Sequence, residues 1–405
     1  MRIRRKSGAE NKAEHRAGLK ARPYDGAALV RHLHSREREM VRVLRSLVEI
    51  ESPSLDKAAV DRCGARVASE FRRRGGSVRI LRDARRGNLV RVDIGASKSP
   101  EAGQILVLGH LDTVYPIGTL RRMPFRVAQR RAWGPGTFDM KGGIVLALFA
   151  IEALRALRIT PRRKIVFLWT SDEEIGSEAS RTEIEKEARR SKAVLVLEPS
   201  LGLKGCAKTQ RKGIGEVEVI VHGRAAHAGV DPERGVNAAH ELALQIARLM
   251  RMNDPRRGIT VQANVIAGGT ATNVVPEFAR AQVDVRFARA RDALGLEKQL
   301  LGLRPILKGA RIEVRGGINR PPLERTAGVA RLFRQARAIA REIGFQLDEA
   351  ATGGGSDGNL TAALGVPTLD GIGVVGDGAH SLREHVVVRE LPRRAALLAG
   401  LLASL

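Results

Sequence analysis

Five short, β-branched apolar runs, at 89–94, 104–109, 164–170, 193–198 and 366–375, alternate with segments whose apolar residues recur at helical spacing, at 27–49, 58–74, 142–157, 236–252, 326–343 and 391–404. No other property of the chain constrains its fold as strongly, because strands that are apolar throughout must be covered on both faces, and the intervening helices supply the cover. The expectation is an α/β layered fold with a mixed, largely parallel sheet. Residues 213–320 have a different texture: strand (EVEVIVHG), helix, strand (GITVQANVIAG), strand (ARAQVDVRF), helix, strand (RIEVRG). That order predicts a small α+β domain of ferredoxin-like type inserted into the larger unit, which then comprises 27–212 and 321–405. Lys212–Gly213 and the turn Arg320–Pro321–Pro322 mark the boundaries, since Gly and Pro punctuate elements.

At 405 residues and 43% hydrophobic content the chain can bury about two to three cores. No run approaches the roughly 18 apolar residues of a membrane span, so no membrane association is expected. The basic stretch 1–26 lacks an apolar core and a small-residue cleavage site, and reads as a flexible, solvated tail rather than a secretory signal. Only Cys63 and Cys206 occur, too few for a disulfide framework, and a cytoplasmic location is expected. The net charge of +26 invites a nucleic-acid reading, but the arginines are spread along the chain and aromatics make up only 3% of it, a poor supply of stacking platforms. Nucleic acid is not an expected partner, although the charge could draw in acidic substrates.

The chemistry collects where apolar runs end. In QILVLGHLDTVYP, His110 stands where strand gives way to loop and Asp112 follows two residues on; imidazole ligands usually donate their other N–H to a carboxylate, so Asp112 reads as the partner that orients His110. A structural histidine beside a capping aspartate is the alternative. In WGPGTFDMKGG, Asp139 stands at a break before a helix, where one carboxylate can bridge two cations; otherwise it is an N-cap and Lys141 a surface charge. FLWTSDEEIGS puts Glu173 and Glu174 side by side after a strand, a repulsive pair unless a cation or proton compensates; an exposed charged loop is the plain alternative. AVLVLEPS ends a buried run on Glu198, and GVVGDGAHSLREH sets His380 in a glycine-rich loop, with His385 read as structural. Imidazoles and carboxylates in this mixture suit zinc-like ions, with a spare carboxylate available as a base.

These motifs, with HAG around His227, the stretch from TATNVVPE to DVRF, and GGGSDGN with GAHS, resemble in order and separation the glutamate carboxypeptidase and aminoacylase family of co-catalytic zinc hydrolases, which also holds succinyl-diaminopimelate desuccinylase and acetylornithine deacetylase. The resemblance runs from about 40 to 400. It implies a layered zinc-peptidase catalytic domain, and an inserted lid and dimerisation domain. It also implies two zinc ions per subunit, for which cobalt or manganese can substitute, one held by His110, Asp139 and Glu198 and the other by Asp139, Glu174 and His380. Glu173 matches the general base, and a cis peptide is implied after Asp139. His227 matches the histidine that, in the family, reaches the active site of the partner subunit and stabilises the oxyanion. Asn273 and Arg286 match the polar grip on the substrate's terminal carboxylate. Gly354 and Gly355 could cradle that carboxylate through backbone N–H groups, and Arg320 is a further candidate for an acidic substrate side chain. Residues 200–212 offer no match to the binding residues of the glutamate-cleaving relatives. Glu198, rather than Asp, points to the carboxypeptidase and desuccinylase branches.

The resulting expectation is a dimeric metallopeptidase of carboxypeptidase type that hydrolyses a peptide or N-acyl amide bond next to a free carboxylate, such as a C-terminal glutamate. An N-acyl-amino-acid deacylase of the acetylornithine deacetylase or desuccinylase kind is the alternative, and a non-catalytic basic binding protein on the same scaffold the remote one.

Overall fold

The structure, a computed structural model, describes residues 24–95 and 103–405. Most of the stretch read as a tail lies outside the described residues; at its end Tyr24 is buried and Asp25 caps the first helix, Gly26–Ser35, by accepting from Ala27 N at 2.8 Å. The helical segment 27–49 divides at Arg36 into Gly26–Ser35 and Glu37–Val48.

Six strands form the main sheet, in the order Ser77–Leu81, Leu89–Ile94, Lys164–Thr170, Gln104–His110, Ser191–Val196, Thr368–Leu369. The last four pair in parallel and the first two join antiparallel, so the sheet is mixed and mostly parallel at its centre. Alternation of side chains sets the layers. Ile105 and Val107 face a core shared with helices Glu37–Val48, Lys57–Arg73, Gly142–Ala156 and Leu391–Ser404, whereas Leu106 and Leu108 face a smaller core with Ile184, Ala188 and Leu360. Helix Gly142–Ala156 is apolar nearly all round because it is enclosed between the sheet and helix Leu391–Ser404. The apolar run 366–375 pairs as a strand only over Thr368–Leu369, since Gly371, at φ +66°, turns the chain away.

Between Gly213 and Arg320 a second sheet forms, with strands ordered Thr260–Gly268, Phe278–Phe287, Gly213–His222, Arg311–Arg320, all antiparallel. With helices Ala238–Met250 and Ala290–Leu301 this is a β-α-β-β-α-β unit. Val217, Val219, Val221, Val283 and Val285 lie on the face under the helices. The other face carries Glu216, Glu218, Gln282, Arg286 and Arg315, which line a cleft of about 1020 Å3 between this sheet and the main domain.

A buried ion network locks the main sheet's antiparallel side. Arg91 donates to both carboxylate oxygens of Glu187, at 3.0 and 3.2 Å, and also pairs with Asp93. Gln104 reaches Glu187 at 2.7 Å and Lys164 reaches Asp93 at 2.7 Å. Burial alone would raise the Glu187 pKa, but hydrogen bonds from Arg91 and Gln104 outweigh it and hold it below the ordinary value. Asp93 is likewise lowered, burial being opposed by Lys164 and Arg91. Their contribution to stability is therefore complete above the unfolded carboxylate range and is lost as pH falls through the lowered folded values. Arg91→Met should cost about 3–5 kcal/mol in urea unfolding at neutral pH, because it leaves Glu187 buried without its cation; it should cost distinctly less at pH 3, and a pH-independent loss would count against the network.

Candidate metal centre and active site

Three parallel neighbours end side by side, and this edge is where α/β sheets commonly place their ligands. His110 is the last residue of Gln104–His110; Glu173 and Glu174 follow Lys164–Thr170; Glu198 follows Ser191–Val196. Asp139 comes from an irregular turn with a cis Asp139–Met140 bond, directly before helix Gly142–Ala156. His380 sits in a loop at φ 60°, a conformation a β-carbon disfavours and one that recurs at functional sites.

The five side chains converge. His110 Nε2 lies 3.2 Å from Asp139 Oδ1 and 3.3 Å from Glu198 Oε1. His380 Nε2 lies 3.4 Å from Asp139 Oδ2 and 3.2 Å from Glu174 Oε2. Each Asp139 oxygen thus faces a different imidazole. Ligand atoms of His110, Asp139 and Glu174, and of His110, Glu173 and Glu198, each lie within 4.8 Å of one another. His110 Nδ1 is held at 2.9 Å by the backbone carbonyl of Asp112, with the Asp112 carboxylate farther off at 3.5 Å. That carboxylate instead accepts from Glu173 N, Glu174 N and Ser54 Oγ, so it fixes the paired-glutamate turn as well as the histidine.

The residues matched to substrate binding divide into two groups. Arg286, Arg320, Gly354 and Gly355 line the cleft together with Glu173, Glu174 and His380. Arg286 pairs with Asp284 at 2.8 Å and reaches Gly353 O at 3.3 Å. Arg320, 3% exposed, donates to Asp357 at 2.7 Å, Ser177 Oγ at 2.8 Å and Glu173 Oε1 at 3.3 Å. His227 and Asn273 are exposed and do not line this cleft, but they adjoin one another: Ala228 N donates to Asn273 O at 2.9 Å, and His227 bridges to Val274.

Comparison with known proteins agrees with this geometry. Residues 106–404 match the model of Peptidase family M20/M25/M40. The chain belongs to that family. It is similar to carboxypeptidase G2 of Pseudomonas sp. (strain RS-16), 32% identical over 90% of this chain and 89% of the relative. It is also similar to succinyl-diaminopimelate desuccinylase of Dechloromonas aromatica (strain RCB), 30% identical over 77% of this chain and 86% of that one. Among solved structures, aminopeptidase PepT from Bacillus cereus ATCC 10987 shares the fold, with a TM-score of 0.72 at 22% identity, covering 91% of this chain and 98% of that chain. The protein is a metal-dependent M20-family hydrolase of C–N bonds.

The electrostatics of this M20 site fit a cation centre. Burial raises Glu174 to about 7, with Asp139's charge adding to the rise. His380 is raised to about 10 by its hydrogen bonds to Asp139 and Glu174. His110 is raised as well, burial being outweighed by Asp112, Asp139 and Glu198. Both imidazoles thus face carboxylates that favour positive charge at this place. Glu174 Oε1 is buried without a hydrogen-bond partner, and a buried acceptor left unmade is costly. A cation bound by the five side chains would answer both requirements.

Two buried arginines supply fixed counter-charge. Arg211 went unmarked in the sequence, where TQRK gives no sign of its destination. It is buried, donates to Asp370 at 2.8 Å and Glu198 Oε2 at 3.2 Å, and holds Gly354 O and Gly355 O at 3.2 and 2.9 Å. Glu198 Oε1 is thereby left directed at His110. Arg320 performs the matching service for Glu173, whose pKa is nonetheless raised, by burial first and by neighbouring acids. Lys141, the alternative surface charge, is buried and donates to Ile50 O at 2.7 Å. Arg211→Met should destabilise the fold by about 3–5 kcal/mol, since Glu198 and Asp370 would be buried without their cation. Urea unfolding with metal analysis checks this, and a loss under about 1 kcal/mol would reduce Arg211 to a packing element.

Proposed function

We propose that this chain is a dinuclear zinc amidohydrolase of carboxypeptidase type, cleaving a peptide or N-acyl amide bond beside a free carboxylate, with C-terminal glutamate as one such end. His110, Asp139 and Glu198 would hold one ion, and Asp139, Glu174 and His380 the other; cobalt or manganese suits the same donors. The observation that carries the reading is Asp139 lying between two imidazoles with Glu173 beside them. Bound there, the ions supply Lewis acidity, which acidifies water and polarises a carbonyl.

The chain's own residues do the rest. Glu173 takes the proton of the attacking water and returns it to the leaving nitrogen. Its carboxylate is steered by Arg320 and its backbone by Asp112. Arg286, with its planar fork, and the N–H groups of Gly354 and Gly355 receive the substrate's carboxylate; Asn273 joins them from a second subunit. His227, remote from its own chain's cleft, serves the partner's site by donating to the oxyanion, in a homodimer formed through residues 213–320. Residues 27–212 and 321–405 form the catalytic domain, and a cytoplasmic location suits the two free cysteines.

Glu173→Ala should lower kcat by about 10²- to 10⁴-fold while two metals per chain remain bound; undiminished turnover would end the base assignment. The same assay, run over C-terminal-glutamate dipeptides and N-acyl amino acids, separates carboxypeptidase from deacylase. A desuccinylase relative, 30% identical over 77% of this chain, is what favours the second reading.

His227→Ala and Glu173→Ala proteins, each nearly inactive, should regain about a quarter of wild-type activity when unfolded and refolded together, because one site of each mixed dimer is complete. Absence of recovery, with dimers present by light scattering, would place His227 outside the partner's site.

A further inference from the structure

Glu384 lies four residues beyond His380 and is fully buried, yet it does not line the cleft. Its Oε1 accepts from the backbone N–H of Phe138 at 2.7 Å and of Asp139 at 2.9 Å. Its Oε2 accepts from the N–H of Gly136 at 3.0 Å and from the Tyr115 hydroxyl at 2.6 Å. That hydroxyl also lies 3.0 Å from Ser381 O. A carboxylate offers about four lone-pair sites, so this one is saturated, and every donor belongs to a segment that carries a site residue. Tyr115 follows His110 and Asp112. Gly136, Phe138 and Asp139 form the turn that presents Asp139. Glu384 itself closes the His380 loop.

The turn at 134–141 is irregular: Thr137 N reaches Gly134 O at 3.2 Å and Lys141 N reaches Gly136 O at 2.9 Å, but Asp139 and Met140 leave helical geometry and Gly136 is at φ 71°. The N–H groups of Gly136, Phe138 and Asp139, left outside that internal pattern, are gathered on one acidic group, which fixes the part of the turn that presents Asp139. An amide in place of the acid would set a donor against one of these N–H groups, and no other acceptor is bonded to the N–H groups of Gly136, Phe138 and Asp139 in their place.

We propose that Glu384, assisted by Tyr115, is a positioning residue that fixes Asp139 between His110 and His380 and so presets where its two carboxylate oxygens stand to receive metal. This rests on the metal centre proposed above. Glu384 touches neither substrate nor metal; it acts through the backbone of Asp139.

The test is zinc titration of the full chain by calorimetry, with kinetics and the visible spectrum of the cobalt-loaded protein, on wild type, Glu384→Gln, Tyr115→Phe and Glu187→Gln. The last removes a buried carboxylate charge in the network remote from the site. Glu384→Gln should bind zinc about 10- to 100-fold more weakly, with an altered cobalt spectrum and a lower kcat at little change in KM. Tyr115→Phe should lose less, in the same direction, and Glu187→Gln should unfold more easily but keep wild-type zinc affinity. A folded Glu384→Gln protein with wild-type affinity and spectrum overturns the inference, as does equal zinc loss in Glu187→Gln. Should Glu384→Gln fail to fold, Tyr115→Phe decides, and an unchanged affinity and spectrum there overturns it. Wild type that binds no metal would instead overturn the metal centre itself.

Discussion

Four carboxylates that approach two imidazoles at the edge of the cleft are the constraint around which this protein is organised. Asp139, Glu173, Glu174 and Glu198 repel one another, and burial adds to the cost of their charge. Such a cluster persists only if the surrounding chain supplies positive charge and exact placement together. Arg211 and Arg320 supply part of it, and the donor set is suited to divalent cations for the remainder.

The positions of the two arginines give the inserted domain a part in the site's electrostatics. Arg211 stands just before the chain enters that domain at Gly213, and Arg320 is the last residue of the strand by which it returns. One grips Glu198 and the other Glu173, so both crossings are anchored to acids of the candidate metal centre rather than to neutral packing. The inserted sheet meanwhile uses its two faces differently. Its valine face is sealed by two helices, while the charged face roofs the cleft, which keeps the polar lining of the site on a rigid element instead of a loop.

A good deal of this was legible in the sequence. Apolar runs that end in His110, Glu173 and Glu198 betray themselves because acids and imidazoles are seldom placed at the end of a core strand without a partner. The β-α-β-β-α-β order of 213–320 follows from a period that switches between two and 3.6 residues. The fate of the cations was not legible. Arg91, Arg211 and Arg394 look like any of the chain's many arginines, yet all three are buried, and Arg394 spends its guanidinium on the carbonyls of Gly205, Gly371 and Gly373. Glu384 was hidden as well: apart from the Tyr115 hydroxyl its partners are backbone N–H groups, which have no residue identity to read.

The sequence by itself determined the layered α/β architecture and which apolar runs end in acids and imidazoles, because periodicity and residue type are local properties. Tertiary structure alone decided which oxygen of Asp139 faces which imidazole, that the carbonyl of Asp112 lies closer to His110 than its carboxylate does, and that His227 and Asn273 stand together away from their own chain's cleft. Those relations depend on distances between segments far apart in the chain, and such distances are set by how sheets, helices and buried charges pack, not by any residue's neighbours in sequence.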